Sequence, residues 1–345
     1  MATPSEIIVR DKAQSVDLMM SFFKAKTFTA ALELRLFDHL SDQPVSLEAL
    51  SKTTDIPYIT LERLIIALVS LGYVNKTAEG FTLYPEQADF LQSDKKGWLG
   101  WLGSHVDKFL YPLWSNLAPA VKEDTDQRLA IFGDDRSWFD ILYQNPEDVS
   151  DFQEFLGQLA QPFIEGFVSG YDFGQHKHFL DIGSGIGTLP RAVVDAYPDI
   201  KASICELPAA HAFLNDKLAE AGYSDKISVV DGDVIAGDLP SDEYDLVHLG
   251  WMLHDYSEEL QMKILKNIYD AMPVGGQFIA SETPLNNEKT GPEFTALLSL
   301  NMLVSTDGGI ESTQAEYIAR FEQAGFNDVR VLEIDGPRTL FMGVK

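Results

Sequence analysis

The chain has 345 residues, with 26 Lys and Arg against 53 Asp and Glu, so its net charge is −27. The length allows two domains, and a hydrophobic content of 45% supplies a large core. Such an acid excess repels nucleic acid and anionic lipid, and it suits either a merely acidic enzyme or a salt-adapted source. Cys205 is the single cysteine, which excludes an intrachain disulfide and a Cys-based zinc site. Met1 to Asp11 has no apolar h-region, and no apolar run approaches the ~18 residues that span a bilayer, so a cytoplasmic protein with no membrane partner is expected.

Residues 13–40 read as helices with apolar faces carrying Val16, Met19, Met20, Phe22, Phe23, Leu36, Phe37 and Leu40. Ser46 is placed to cap a second helix, and an Ile- and Leu-rich helix follows over 59–71. Val74-Asn-Lys-Thr and Phe81-Thr-Leu form a short hairpin, which completes a helix-turn-helix with a wing. The presumed recognition helix carries Arg63 as its one cation, so it belongs in a core or a subunit interface rather than on DNA. Residues 98–170 form aromatic-rich helices, most of whose rings serve as core while some wall an organic-substrate pocket.

From residue 171 strand and helix alternate, with strands at 178–183, 201–206, 227–231, 244–250 and 276–282. A helix at 314–324 and two strands at 327–334 and 338–344 close the chain, with no helix between those strands. The fold class is therefore α/β, a mostly parallel Rossmann-like sheet with an antiparallel end, behind an α-helical winged-helix domain.

The most informative stretch is Phe179-Leu-Asp-Ile-Gly-Ser-Gly-Ile-Gly, a strand breaking into Gly183, Gly185 and Gly187 and then a helix. Alternate glycines let the backbone take positive φ, and the helix N-terminus offers N–H groups to a ligand. The spacing is not the dinucleotide pattern, and no Gly-Lys-Ser/Thr follows as in a P-loop. Asp181 would sit badly beside a pyrophosphate but suits S-adenosylmethionine, which has a sulfonium, an ammonium and a ribose.

Ligands in open α/β sheets bind beyond the carboxyl ends of the strands. There the chain places Asp181, then Glu206, then Asp233-Val234, then Trp251 through His254-Asp255, then Glu282. Glu206 suits a ribose diol. Asp233 either accepts from an adenine amino group or caps a turn, with Val234 against the ring. Asp255 either belongs to the site or caps the following helix. A His that follows an apolar strand beside the crevice points to function more than to core.

Gly250-Trp-Met-Leu-His254-Asp255-Tyr-Ser-Glu-Glu resembles the catalytic segment of the caffeic acid and acetylserotonin O-methyltransferases. So do the glycine turn, Glu206-Leu-Pro, Gly232-Asp233 and Gly308-Gly-Ile-Glu311-Ser-Thr, and the likeness runs over nearly the whole chain. It implies a class I methyltransferase with a winged-helix dimerisation domain at 1–100, a helical pocket layer at 101–170 and a catalytic domain at 171–345. It also implies a homodimer, a small-molecule acceptor, S-adenosylmethionine as donor and S-adenosylhomocysteine as product, with no metal. His254 becomes the general base, with Glu282 and Glu311 orienting its imidazole. Asp181, Gly183, Gly185 and Gly187 hold the methionyl part and Glu206 the ribose. Asp233 and Val234 hold the adenine, and Leu207, Trp251 and Tyr143 complete the cofactor set.

Two positions depart from the family pattern. Gly250 stands where many relatives carry a basic residue, and Val234 where Met or Phe is frequent. The expected reaction is O-methylation of a small hydroxylated molecule. One rival is S-methylation of a small thioether such as a methylthio hydroxy acid, which has no proton to lose and needs alignment without a base. A more distant rival is a winged-helix regulator that senses a ligand. A carboxylated substrate would need a cation, for which His105 and Lys108 are the candidates.

Overall fold

The computed structural model describes residues 9–241 and 243–345. The chain divides into two compact units. One runs up to Pro112 and includes Asn145–Phe155, and the other comprises Leu113–Gln144 and Leu156–Lys345. The segment expected as a separate helical layer is thus shared between both units.

In the first unit the helix Lys12–Glu33 starts in a capping box between Asp11 and Gln14. Ser46 caps the helix Leu47–Thr54, accepting from the Ala49 N–H at 3.2 Å. The helix Tyr58–Ser70 then leads into the wing, β1 (Asn75–Lys76) and β2 (Phe81–Thr82). Leu36, Phe37, Leu50, Leu61, Ile65 and Leu68 form its core. Val16, Met19, Met20, Phe22 and Phe23 were expected on an apolar face, and the first helix holds that face out to solvent. Tyr58, Ile59 and Ile66 are likewise exposed on the third helix, an apolar surface with no use for a phosphate backbone.

In the second unit the sheet contains β3 (His178–Ile182), β4 (Lys201–Glu206), β5 (Ile227–Asp231), β6 (Leu246–Gly250), β7 (Gln277–Glu282), β8 (Asn327–Glu333) and β9 (Thr339–Val344). Their order is β5-β4-β3-β6-β7-β9-β8. The first five are parallel, and β9 runs antiparallel between β7 and β8. The strand order reverses between β3 and β6, which opens the ligand crevice there. Both faces are buried, so the strands are near-continuous apolar runs.

Five strand limits fall one or two residues inside expectation, and two of them have a clear local reason. β3 stops at Ile182 because Gly183 turns left-handed at φ +67°. β6 starts at Leu246 because the Asp245 carboxylate instead accepts the Lys177 and His178 N–H groups at the start of β3.

The long helix Pro146–Gly170 meets the turn between β8 and β9 backbone to backbone. A Cβ on Gly166 would lie 1.5 Å from the Asp335 carbonyl oxygen, and Gly336, at φ +130°, faces the Pro162 carbonyl. Nothing at that contact can swing aside, since both partners are main chain. Gly166→Ala is therefore expected to destabilise the protein by about 1–3 kcal/mol through overpacking, read as a lower urea midpoint. An unchanged midpoint would refute the close approach.

Candidate active site

All three glycines of the turn are left-handed, with φ of +67°, +61° and +73° at Gly183, Gly185 and Gly187. Gly187 starts the helix Thr188–Ala196, whose free N–H groups face the end of β3. Asp181 lies underneath and is almost fully buried. Its Oδ1 is 2.6 Å from His248 Nδ1, and its Oδ2 accepts from Ser184 Oγ at 2.6 Å. Each oxygen thus has one protein partner, and Asp181 braces the turn through Ser184.

Glu206 ends β4 and accepts the Gly185 and Leu207 N–H groups, while burial pushes its carboxyl up to about 7. Leu207, next in the chain, is exposed. Asp233 Oδ1 accepts the Ile235 and Ala236 N–H groups at 2.8 and 2.9 Å, so turn capping is the part of its dual reading visible in the geometry. Val234 is buried in the core, its carbonyl held by Asn267 Nδ2 at 2.9 Å. Tyr143 ends the short helix Trp138–Leu142 and is partly exposed.

Beyond β6 the chain bends sharply at Trp251, whose φ of +52° is unusual for a bulky residue. The bend is held by the Trp251 N–H on the Ser281 carbonyl at 2.8 Å. The Met252 and Leu253 N–H groups donate to Glu282 Oε1 at 3.1 and 2.9 Å. His254, 3% exposed, then places Nδ1 2.7 Å from Glu311 Oε1. Glu282 Oε2 is 3.7 Å from the same nitrogen. Glu311 therefore holds the ring, whereas Glu282 chiefly holds the backbone that carries it.

The Glu311 loop is tied to the same bend, because the Ile310 N–H donates to the His254 carbonyl at 2.9 Å. Gly309 must be glycine there, since a Cβ would stand 2.8 Å from that carbonyl oxygen. Asp255 is not the cap of the next helix. Ser257 is, and Asp255 is mostly covered, with Oδ1 3.6 Å from His254 Nε2. Burial, reinforced by mutual repulsion, raises Asp255 and Glu282 to about 7, and burial raises Glu311 to about 8.

Three functional neighbours escaped sequence reasoning. His248 lies between Asp181 and Ser281, with Nε2 3.0 Å from Ser281 Oγ, so a polar chain crosses β3, β6 and β7. Its signal was an imidazole inside an otherwise apolar strand, which demands buried partners. This chain also explains Gly250. A Cβ there would be 2.7 Å from His248 Cε1 and 3.1 Å from Ser281 Oγ, leaving no room for the basic side chain of many relatives. The third neighbour is Arg338, stacked between the Phe163 and Trp251 rings at 4.6 Å from each. The cations proposed for a carboxylated substrate do not serve. Lys108 Nζ pairs with Asp148 at 2.5 Å. His105 is packed among Phe109, Phe152 and Phe155, and burial lowers it to about 4, so it is neutral.

A parallel sheet with a glycine turn, an acid on the second strand and a carboxylate-held His defines a class I S-adenosylmethionine-dependent methyltransferase. Residues 114–327 match the O-methyltransferase domain and residues 16–88 the O-methyltransferase dimerisation domain. The chain belongs to this O-methyltransferase family. It is 60% identical over 97% of its length to the S-adenosyl-L-methionine-dependent methyl transferase PigF of Serratia sp. (strain ATCC 39006), of which it covers 96%. The solved structure of PigF with SAH superposes with a TM-score of 0.94, covering 98% of this chain and 100% of that one. The acetylserotonin O-methyltransferase of Bos taurus is 32% identical over 67% of this chain and 66% of its own.

The raised carboxyls fix the sign of a pH effect. Glu206, Asp255, Glu282 and Glu311 keep protons to about 7–8 when folded, whereas in the unfolded chain they lose them near pH ~4. The folded state then binds more protons than the unfolded state, so their contribution is present at lower pH and is lost as pH rises through 7–8. The urea midpoint is expected to fall between pH 6.5 and 8.5, and less so in Glu311→Gln. A midpoint that rose over this range would contradict the burial of these acids.

Proposed function

We propose that this enzyme transfers a methyl group from S-adenosylmethionine to a hydroxyl oxygen of a small molecule, with His254 as general base. The observation that carries this reading is the 2.7 Å contact between His254 Nδ1 and Glu311 Oε1. In its ionised form, reached as pH rises through about 8, Glu311 holds the proton on Nδ1 and leaves the Nε2 lone pair for the acceptor hydroxyl. The residues of the crevice also fit the donor. Glu206 suits a ribose diol, and the left-handed glycines at 183, 185 and 187 bring bare main chain to the crevice. The SAH held by PigF, a protein of closely similar fold, supports the same fit.

When bound, the donor supplies an already activated methyl group on a sulfonium. The chain has to align the acceptor oxygen with it, exclude water and take one proton. Orientation is worth up to ~7–11 kcal/mol in favourable cases, and base help about 10²–10⁴-fold. The new O–C bond replaces the C–S bond, and the hydroxyl proton passes to His254 Nε2. The aromatic-rich helices favour an aromatic acceptor.

His254→Ala should lower kcat on a hydroxyl acceptor by ~10²-fold or more, while S-adenosylhomocysteine affinity stays within about threefold. Labelled methyl transfer and isothermal titration measure the two. Turnover on a thioether that survived the substitution would replace this mechanism with S-methylation by alignment.

We also infer that the enzyme is a homodimer. The exposed apolar face of its first helix lies in the segment matching the dimerisation domain. Phe22 and Phe23 are about half exposed on it, at 51% and 54%. Phe22→Asp with Phe23→Asp is expected to halve the mass measured by sedimentation equilibrium. A variant that kept the wild-type mass would place the interface elsewhere.

A further inference from the structure

Arg338 is the last residue before β9 and projects from the same face of the sheet as Leu340, whose partner on β7 is Ser281. Only 9% of it is exposed, and the Trp251 and Phe163 ring centroids each lie 4.6 Å from its guanidinium carbon. Among the described residues it makes no hydrogen bond and has no carboxylate within 4 Å.

The other buried arginines are treated differently. Arg128 makes two bonds to the Asp126 carboxylate, at 2.7 and 3.0 Å, and one to the Arg136 carbonyl. Arg320 reaches Gln261, Ser312 and Glu258. The acids whose charges act on Arg338 are Glu282 and Asp181; Asp181 is held by His248 and Ser184, Glu282 Oε1 accepts two backbone amides, and Glu282 Oε2 has no hydrogen-bond partner but does not reach the guanidinium. Burial lowers Arg338 to about 10, and the more distant charges of Glu282 and Asp181 only partly restore it. A buried cation without a counter-ion is costly unless a ligand supplies one.

We propose that Arg338 is a binding residue for a carboxylate in the methyl-transfer crevice, received on the N–H donors of its guanidinium, which have no protein acceptor among the described residues. A guanidinium edge presents paired N–H donors that match the two oxygens of a planar carboxylate, and the single charges balance. Its place is defined by Asp181 under the glycine turn and by Trp251, whose ring centroid is 5.4 Å from that of His254. That location borders both the amino-acid end of the donor and an acidic group on the acceptor. The inference rests on the donor reading given above.

Isothermal titration of S-adenosylhomocysteine and of its decarboxylated analogue, S-adenosyl-3-thiopropylamine, into wild type, Arg338→Gln and Arg338→Lys separates the cases. A loss of tenfold or more for S-adenosylhomocysteine in Arg338→Gln, with the analogue unaffected, assigns the donor carboxylate. A second arm titrates 4-hydroxybenzoate and its methyl ester into protein loaded with S-adenosylhomocysteine. Loss of tenfold for the acid alone assigns the acceptor. Arg338→Lys keeps the charge but loses the fork, so a smaller selective loss of about threefold is expected; it decides the question if Arg338→Gln does not fold. Equal loss for ligands with and without a carboxylate overturns the proposal. So does unchanged affinity in both arms, including the case in which 4-hydroxybenzoate does not bind. Wild type that failed to bind S-adenosylhomocysteine would instead overturn the donor reading.

Discussion

The hydrogen bond between His254 and Glu311 joins parts of the chain that are 57 residues apart, and the site is assembled around it. An imidazole this deeply buried needs a partner for Nδ1, and a carboxylate this deeply buried needs a donor. His254 Nδ1 and Glu311 Oε1 satisfy each other, while Glu311 Oε2 has no hydrogen-bond partner. The requirement propagates outward. Gly309 lets the Glu311 loop touch the His254 backbone, and Glu282 holds the bend from the neighbouring strand. Removing Glu311 would strand the ring rather than merely weaken it.

The two faces of the sheet carry separate polar clusters, and strand alternation keeps them apart. Ser281 points to one face with His248 and Asp181, and Glu282 points to the other with His254 and Glu311. One cluster braces the glycine turn and the other holds the His254 imidazole. β6 contributes to both, through His248 within the strand and His254 beyond it, so a shift in its register would disturb donor and acceptor geometry together. Gly250 sits against His248 and Ser281, and its lack of a side chain follows from the space His248 occupies.

Burial of several acids in one place also determines what the site can do at neutral pH. Asp255, Glu282 and Glu311 cannot all carry charge in so little water. The protons they retain keep the cluster from pushing itself apart.

Much of this was legible in the sequence because it is governed by local rules. Alternate glycines demanded a left-handed turn, apolar runs demanded strands buried on both faces, Ser46 demanded a helix start, and acids at five strand ends marked one edge of the sheet. The resemblance then assigned His254, Glu282 and Glu311. Their division of labour depended on which oxygen lies nearest which donor, and that is a distance between distant segments. The commitment of Asp181 to His248, the buried stack of Arg338 on Trp251 and Phe163, and the outward apolar face of the first helix are likewise tertiary facts. The sequence determined the backbone conformations, the fold class and the chemical kinds of side chain at the crevice, since steric limits and periodicity act within a few residues. Only the tertiary structure decided which of those side chains pair with each other and which is left for a ligand. Pairing in a low-dielectric interior depends on contacts a few ångströms long between residues many positions apart.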